Sequence, residues 1–278
     1  MPGSLFVVAT PIGNLDDLSP RARETLASVS LIACEDTRVT QKLLARFELA
    51  VPLVAFHAHS NAETLARLVQ KLDEGSDVAL VSDAGAPLVS DPGRELVEAA
   101  ILRGIPVIPI PGPSAVTTAV MASGVEASRF VFLGFLPRDP TEQRAFLTPF
   151  ESLPAALVIF ESKERLAATL AILAAALGDR PACVARELTK RFESFERGHL
   201  RDLGEKFERE ETKGEITIVV GPPTKVAEVT DRDAARNELR RLLDRGVAPS
   251  EAARTIAGAF HLPKREVYKM ALELGRSA

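Results

Sequence analysis

The stretch Val78–Gly93, VALVSDAGAPLVSDPG, decides the fold. It opens on the apolar run Val78–Val81, whose length and composition suit a strand buried on both faces. At Ser82-Asp83 the run breaks into a loop carrying Gly85 and Pro87, where backbone can come close to a ligand. Asp91-Pro92 is expected to open a helix, with Asp as N-cap and Pro at the first helical position. Strand, bare polar loop and helix start make the ligand-facing end of an open α/β sheet. Asp83 stands where a strand-end carboxylate meets a ligand, and the same residue would equally serve to cap a turn.

The same unit recurs on both sides. Leu5–Ala9 precedes Thr10-Pro11-Ile12-Gly13-Asn14, and Ser19-Pro20 opens a helix. Leu31–Cys34 ends in Glu35-Asp36-Thr37-Arg38, and Leu53–Phe56 ends in His57-Ala58-His59-Ser60. Ser60 and Glu63 have capping-box spacing, and Leu65, Leu68, Val69 and Leu72 form a helical stripe. Pro106–Ile110 runs through Pro111-Gly112-Pro113-Ser114-Ala115 into another helix. Such repeats predict a largely parallel sheet with helices on its faces. No GxGxxG follows the first run, which argues against a dinucleotide-binding half.

A second α/β set begins near Arg129. Its strands are expected at Phe130–Leu133, Ala156–Phe160, Cys183–Ala185 and Ile216–Val220, with at least one antiparallel piece. Leu166, Leu170, Leu173 and Leu177 mark a helix between them. Gly221-Pro222-Pro223 starts a polar linker. Beyond it, Arg232–Arg245, Pro249–Gly258 and Pro263–Leu274 read as three short helices, the last two resembling a helix-turn-helix. Val267, Ala271 and Leu274 are expected to face inward, leaving Lys264, Arg265 and Lys269 free to meet phosphates. A small bundle that only packs on the body or on a second subunit is the other reading of these helices. The expected domains are therefore 1–122, 123–224 and 225–278.

Composition narrows the function classes. The 278 residues carry a net charge of −4, but the segment from Asp231 onward has ten Lys/Arg against seven Asp/Glu. An acidic body with a basic tail points to a polyanionic partner for the tail. With no Trp and a single Tyr, Tyr268, reading of single-stranded bases mainly by aromatic stacking is not expected. No apolar run reaches membrane-spanning length, and the start lacks the basic region of a signal peptide. Cys34 and Cys183 lie far apart in apolar runs and read as reduced core residues of a cytoplasmic protein.

VATPIGN, EDTR, SDAGAPLVSDPG, PGPSA, GFLP, ELTK and KGE occur in this order. In this the chain resembles the tetrapyrrole-methylase-like (class III) methyltransferases, and within them the bacterial members that 2′-O-methylate a cytidine ribose in the decoding region of small-subunit rRNA. The resemblance implies two α/β domains with S-adenosylmethionine in the cleft between them, a small C-terminal helical domain, and a homodimer acting on rRNA or the 30S subunit. Carried over by position, the cofactor meets Pro11, Gly13, Asp83, Ala84, Gly85, Ser114 and Ala115 from the first domain. Phe160, Leu188, Glu215 and Ile216 are added by the second. Ala86 stands where the family usually has Thr, and Ser60 where Asn is expected.

Methyl transfer from a sulfonium is mostly positioning, whereas a ribose hydroxyl is a poor nucleophile until its proton is drawn off. Strand-end candidates are Glu35, Asp36, Arg38, His57, His59, Lys163, Arg165, Glu187 and Lys190. His57 and His59, two apart on an extended segment, point the same way, but no third ligand at suitable spacing supports a metal. They would accept a proton, bind phosphate, or simply close a polar loop. Arg38 would clamp a phosphate, or pair internally with Asp36 at the helix start. Lys190 would act as a base only if desolvation lowered its pKa. The expected substrate-facing group is Asp36, Arg38, His57 and Lys190. A tetrapyrrole methyltransferase and a non-catalytic nucleic-acid-binding protein are the competing functions. The basic tail argues against the first, and the many polar strand-end loops against the second.

Overall fold

The computed structural model describes residues 2–57, 62–210, 212–223, 232–260 and 262–275. The chain divides into two units, 1–223 and 224–278.

Unit one holds two five-stranded sheets. The first is built from β1 (Leu5–Val8), β2 (Leu31–Cys34), β3 (Leu53–Ala55), β4 (Val78–Val81) and β5 (Val107–Ile110) in the order β3-β2-β4-β1-β5, all parallel. Helices α1 (Pro20–Ser28) and α2 (Thr37–Arg46) pack Leu26 and Leu44 against Ile32, Cys34, Ala79 and Val81 on one face. Helices α3 (Ala62–Asp73) and α4 (Arg94–Leu102) pack Leu68, Leu72 and Leu96 against Ala33, Val78 and Leu80 on the other. Strands β2 and β4 are apolar throughout because alternate residues serve opposite helix layers. The neighbours β1 and β4 therefore send their following helices to opposite faces. That divergence opens a crevice at their carboxyl ends, the place where open α/β sheets bind ligands. Thr10 and Gly85 bridge across it.

The second sheet has the order β6-β7-β10-β8-β9, from β6 (Phe130–Phe135), β7 (Ala156–Glu161), β8 (Pro181–Arg186), β9 (Ser194–His199) and β10 (Ile216–Val220). Only β6 and β7 run parallel, so the expected antiparallel character extends to three of the four pairings. On one face Leu157, Ile159, Val184, Ile216 and Ile218 meet α6 (Pro140–Leu147), α7 (Leu166–Leu177) and α8 (Leu200–Arg209). On the other, Val158, Cys183, Ala185 and Val219 meet α5 (Ala115–Ser123) through Val116 and Ala119. Helix α5 leaves the first sheet and packs on the second, and Arg197 of β9 donates to the carbonyls of Ala122 and Ser123 at its C-terminal end. Both cysteines are buried and free.

One element departs from expectation. Helix α4 starts at Arg94, with Gly93 at φ 122° as its N-cap and no side-chain cap bond. Asp91 and Pro92 do not open it. The Gly93 conformation is one that residues with a side chain rarely adopt, and an added Cβ would sit 2.8 Å from Leu80 Cδ2. The chain turns there, one residue past the proline, and Asp91 is left in the loop. The expected Ser60 cap of α3 lies outside the described residues.

Unit two holds α9 (Arg232–Asp244), α10 (Pro249–Ala259) and α11 (Lys264–Gly275) around Leu239, Ile256, Val267, Ala271 and Leu274. Val267, Ala271 and Leu274 face inward, as the spacing predicts, and Lys264, Arg265 and Lys269 are exposed. Among the described residues no helix is long and apolar enough to cross a membrane.

Candidate active site

Loops of both sheets meet around a cavity of about 240 Å³. The β4–α4 loop gives Ala84, Gly85, Ala86, Val89, Ser90 and Asp91, the start of α5 gives Ser114 and Ala115, and the loop after β1 gives Ile12. The second sheet gives Phe135, Phe160, Glu161, Glu215, Ile216 and Thr217. Phe160 is held edge-on by Phe132 and Phe135, with ring centroids 4.8 and 5.7 Å away. The Glu161 carboxylate is buried and satisfied by the Thr169 hydroxyl at 2.6 Å, the Ser162 amide at 2.7 Å and the Arg165 guanidinium. It is a fixed part of the cavity wall.

Two loops clasp at one edge. The Asn14 amide donates to Thr189 Oγ1 at 3.0 Å, and a Cβ on Gly13 would lie 2.5 Å from Lys190 Cγ and 2.8 Å from the Leu188 carbonyl. Glu187 and Thr189, at φ 49° and 63°, hold the tight loop that makes this approach possible. Lys190 Nζ donates to Glu187 Oε1 and Glu215 Oε2, both at 3.0 Å. Partial burial pulls its pKa down, but the two carboxylates outweigh that and the net shift is upward. Lys190 is therefore a fixed cation, and the condition for a base is not met.

A second group gathers at the ends of β2 and β4. Asp83 Oδ1 accepts from the Asp36 amide at 2.9 Å, so Asp83 orients the loop after β2. Asp36 caps α2 through the Arg38 amide and holds the Arg38 guanidinium with both carboxylate oxygens. These bonds bring its pKa down to about 2. The internal Asp36–Arg38 pair is the arrangement present. Burial raises the pKa of Glu35, reinforced by Asp83 and Asp91, while His57 opposes the rise. Burial likewise raises Asp91, against a hydrogen bond with Ser82 and with help from Asp83. Asp91 alone of these carboxylates lines the cavity, on a loop with Leu88 and Ser90 both at φ 71°. Non-glycine residues in that region are strained, and such strain gathers at functional sites.

Of the residues expected to meet a cofactor, Ala84, Gly85, Ser114, Ala115, Phe160, Glu215 and Ile216 line the cavity. Pro11 and Asp83 line a separate recess with Val39 and Lys42, Leu188 is buried in the core under α5, and Gly13 sits in the clasp. Asp36, Arg38 and His57 belong to the neighbourhood of Asp83, whereas Lys190 belongs to the clasp, and none of the four lines the cavity. Lys163 pairs with Glu164, and His59 lies outside the described residues. Ala86, the departure from the family pattern, is in the cavity wall. Sequence reasoning missed Asp91, taken for a helix cap, and Phe135, whose strand runs two residues further than its apolar core. The cavity suits S-adenosylmethionine. Ile12, Val89, Phe135, Phe160 and Ile216 offer an apolar bed for a purine ring. The start of α5, where Ser114 makes no side-chain cap bond, presents backbone amides to a carboxylate.

Fold and site define a class III, tetrapyrrole-methylase-type methyltransferase. The family of tetrapyrrole (corrin/porphyrin) methylases matches residues 4–204, and the RsmI C-terminal HTH domain matches residues 229–275. Ribosomal RNA small subunit methyltransferase I of Mesorhizobium japonicum is 44% identical over 98% of this chain and 92% of its own length. Its namesake in Xylella fastidiosa is 46% identical over 96% of this chain and 98% of its own. A solved uroporphyrin-III C-methyltransferase of Thermus thermophilus, complexed with S-adenosylhomocysteine, shares the fold at a TM-score of 0.57 and 19% identity, covering 81% of this chain and 100% of that one. The chain belongs to the ribosomal RNA small subunit methyltransferase I family. It is a methyltransferase.

Proposed function

We propose that the protein methylates the 2′-oxygen of a cytidine ribose in the decoding region of small-subunit ribosomal RNA, as a cytoplasmic homodimer. The observation that carries this is the reach of the likeness: relatives named for ribosomal RNA methylation match over nearly their full length, helical unit included. The donor supplies an electrophilic methyl group on a sulfonium. The cavity residues Ala84, Gly85, Ser114, Ala115, Phe160, Glu215 and Ile216 hold it, while Pro11, Gly13, Asp83 and Leu188 shape the loops that do so. Asp91 draws off the hydroxyl proton. It lines the cavity and is partly buried, and burial raises its pKa, whereas hydrogen bonds from Arg38 lower that of Asp36. Arg38, fixed by Asp36, together with His57 and Lys190, faces the RNA backbone as cationic or hydrogen-bonding groups. Lys264, Arg265 and Lys269 bind phosphates at the tail.

The test supplies labelled methyl donor with 30S subunits, naked rRNA or uroporphyrinogen. Label in the ribose of one small-subunit cytidine is expected. Label only in the tetrapyrrole would transfer the protein to the other branch of its fold.

A further inference from the structure

We infer that Tyr268 is a stacking platform for an unpaired base of the RNA substrate, framed by Lys264, Arg265 and Lys269 on the flanking phosphates. This deepens the RNA reading above and rests on it. On a helix of about 3.6 residues per turn, Lys264, Tyr268, Leu272, Arg265 and Lys269 fall within an arc of about 140°. Glu266 and Glu273, the acidic residues of α11, fall outside that arc, and the buried Val267, Ala271 and Leu274 lie on the remaining side. Within that arc every charge is cationic and the centre is apolar, while Glu266 and Glu273, also exposed, border it beyond Lys269. Tyr268 and Leu272 are 41% and 44% exposed in the middle of it, one turn apart. An aromatic ring at that exposure contributes little to the core of the unit.

The placement of the cations argues for an anionic partner. Lys264 and Arg265 occupy the first turn of α11, where two cations add to the positive end of the helix dipole and only Glu266 offsets it. That arrangement is unfavourable in the free protein and favourable once phosphates lie across it. Cations on both sides of one exposed ring match a strand whose phosphates flank an accessible base face, and base–aromatic stacking is tolerant of sequence. In a duplex that face is taken by neighbouring base pairs, so the occupant is single-stranded. The scarcity of aromatic residues noted in the sequence limits this to one base, an anchor and not a reading groove.

The chain has one Tyr and no Trp, so its tyrosine emission reports this position alone. The full-length protein is titrated with a mixed-sequence single-stranded oligoribonucleotide, and with the same sequence as a duplex, following tyrosine emission and the anisotropy of an end label. Emission is expected to fall over the range in which anisotropy rises, and only for the single strand. Y268F is expected to bind within about twofold of the wild type, and Y268A about 5- to 150-fold more weakly, with unchanged circular dichroism and melting temperature. Binding with steady emission and undiminished affinity of Y268A overturns the stacking while leaving the RNA substrate standing. Equal quenching by the duplex overturns it too. A smaller species for Y268A in gel filtration, with RNA affinity kept, makes this face a subunit contact and overturns it. Failure of every RNA substrate to acquire label is the separate result that removes the underlying reading.

Discussion

Two aspartates of the site show how neighbours set what a carboxylate can do. Asp36 is held at about 2 by hydrogen bonds from Arg38, whereas Asp91 is pushed above its ordinary 3.8 by burial and by Asp83. Asp91→Asn is expected to lower kcat by about 10²- to 10⁴-fold, with the smaller part of the loss in donor affinity measured by calorimetry. An equal loss in both would make Asp91 a binding residue. Because its pKa is raised, the wild-type rate falls on the acid side at a pH above 3.8 as the carboxylate takes up a proton, and the variant lacks that limb. Asp36 works in the opposite sense. Its folded pKa lies below the unfolded value of 3.8, so its contribution to stability is complete above 3.8 and is lost as pH falls through about 2. The melting temperatures of the wild type and Asp36→Ala are therefore expected to differ at neutral pH and to converge across that interval. A gap undiminished at pH 2 would remove the cap and ion pair as its source.

At the level of elements, the clasp between the β1–α1 loop and the β8–β9 loop ties the two sheets together beside the cavity. Its tolerance is set by Gly13, where a Cβ would meet Lys190, the Leu188 carbonyl and Thr189. Gly13→Ala is expected to force the loops apart at about 1–3 kcal/mol of strain. A calorimetric titration should show donor affinity reduced about 5- to 150-fold, with a smaller change in melting temperature. Strands β2 and β4 were legible because strands buried on both faces leave uninterrupted apolar runs such as Val78–Val81, and β1, β3 and β5, though partly exposed, are still wholly apolar in sequence. Strand β9 was not, since Ser194–His199 is a half-exposed edge carrying Glu196 and Arg197, with no run to find. Helix α8 did leave a signal, Leu200, Leu203 and Phe207 at helical spacing, among charges that mask it. Ligand-facing loops have no period at all. Their residues came from the likeness of short motifs, and Asp91 was misread because a local cap rule says nothing of a carboxylate that bonds across to Ser82 instead.

For the whole molecule the question is how a chain of net charge −4 holds a polyanion. The division of charge between the acidic body and the basic tail supplies the answer, because an ionic partner is met locally and within a Debye length of about 8 Å at physiological salt. Lys264, Arg265 and Lys269 share one exposed face of α11 and so engage successive phosphates together. Each neutralised phosphate on a single strand contributes about 0.7 to the slope of log affinity against log salt concentration. Replacing all three by Ala is then expected to lower that slope by about 2 and to weaken binding most at low salt. Donor affinity, measured in parallel by calorimetry, is expected to stay at the wild-type value, since the cavity is built wholly from residues of the first unit. Fluorescence anisotropy of a labelled RNA over a salt series measures the slope directly. An unchanged slope would mean that the tail helix meets no phosphate, and the RNA contacts would then fall to Arg38, His57 and Lys190.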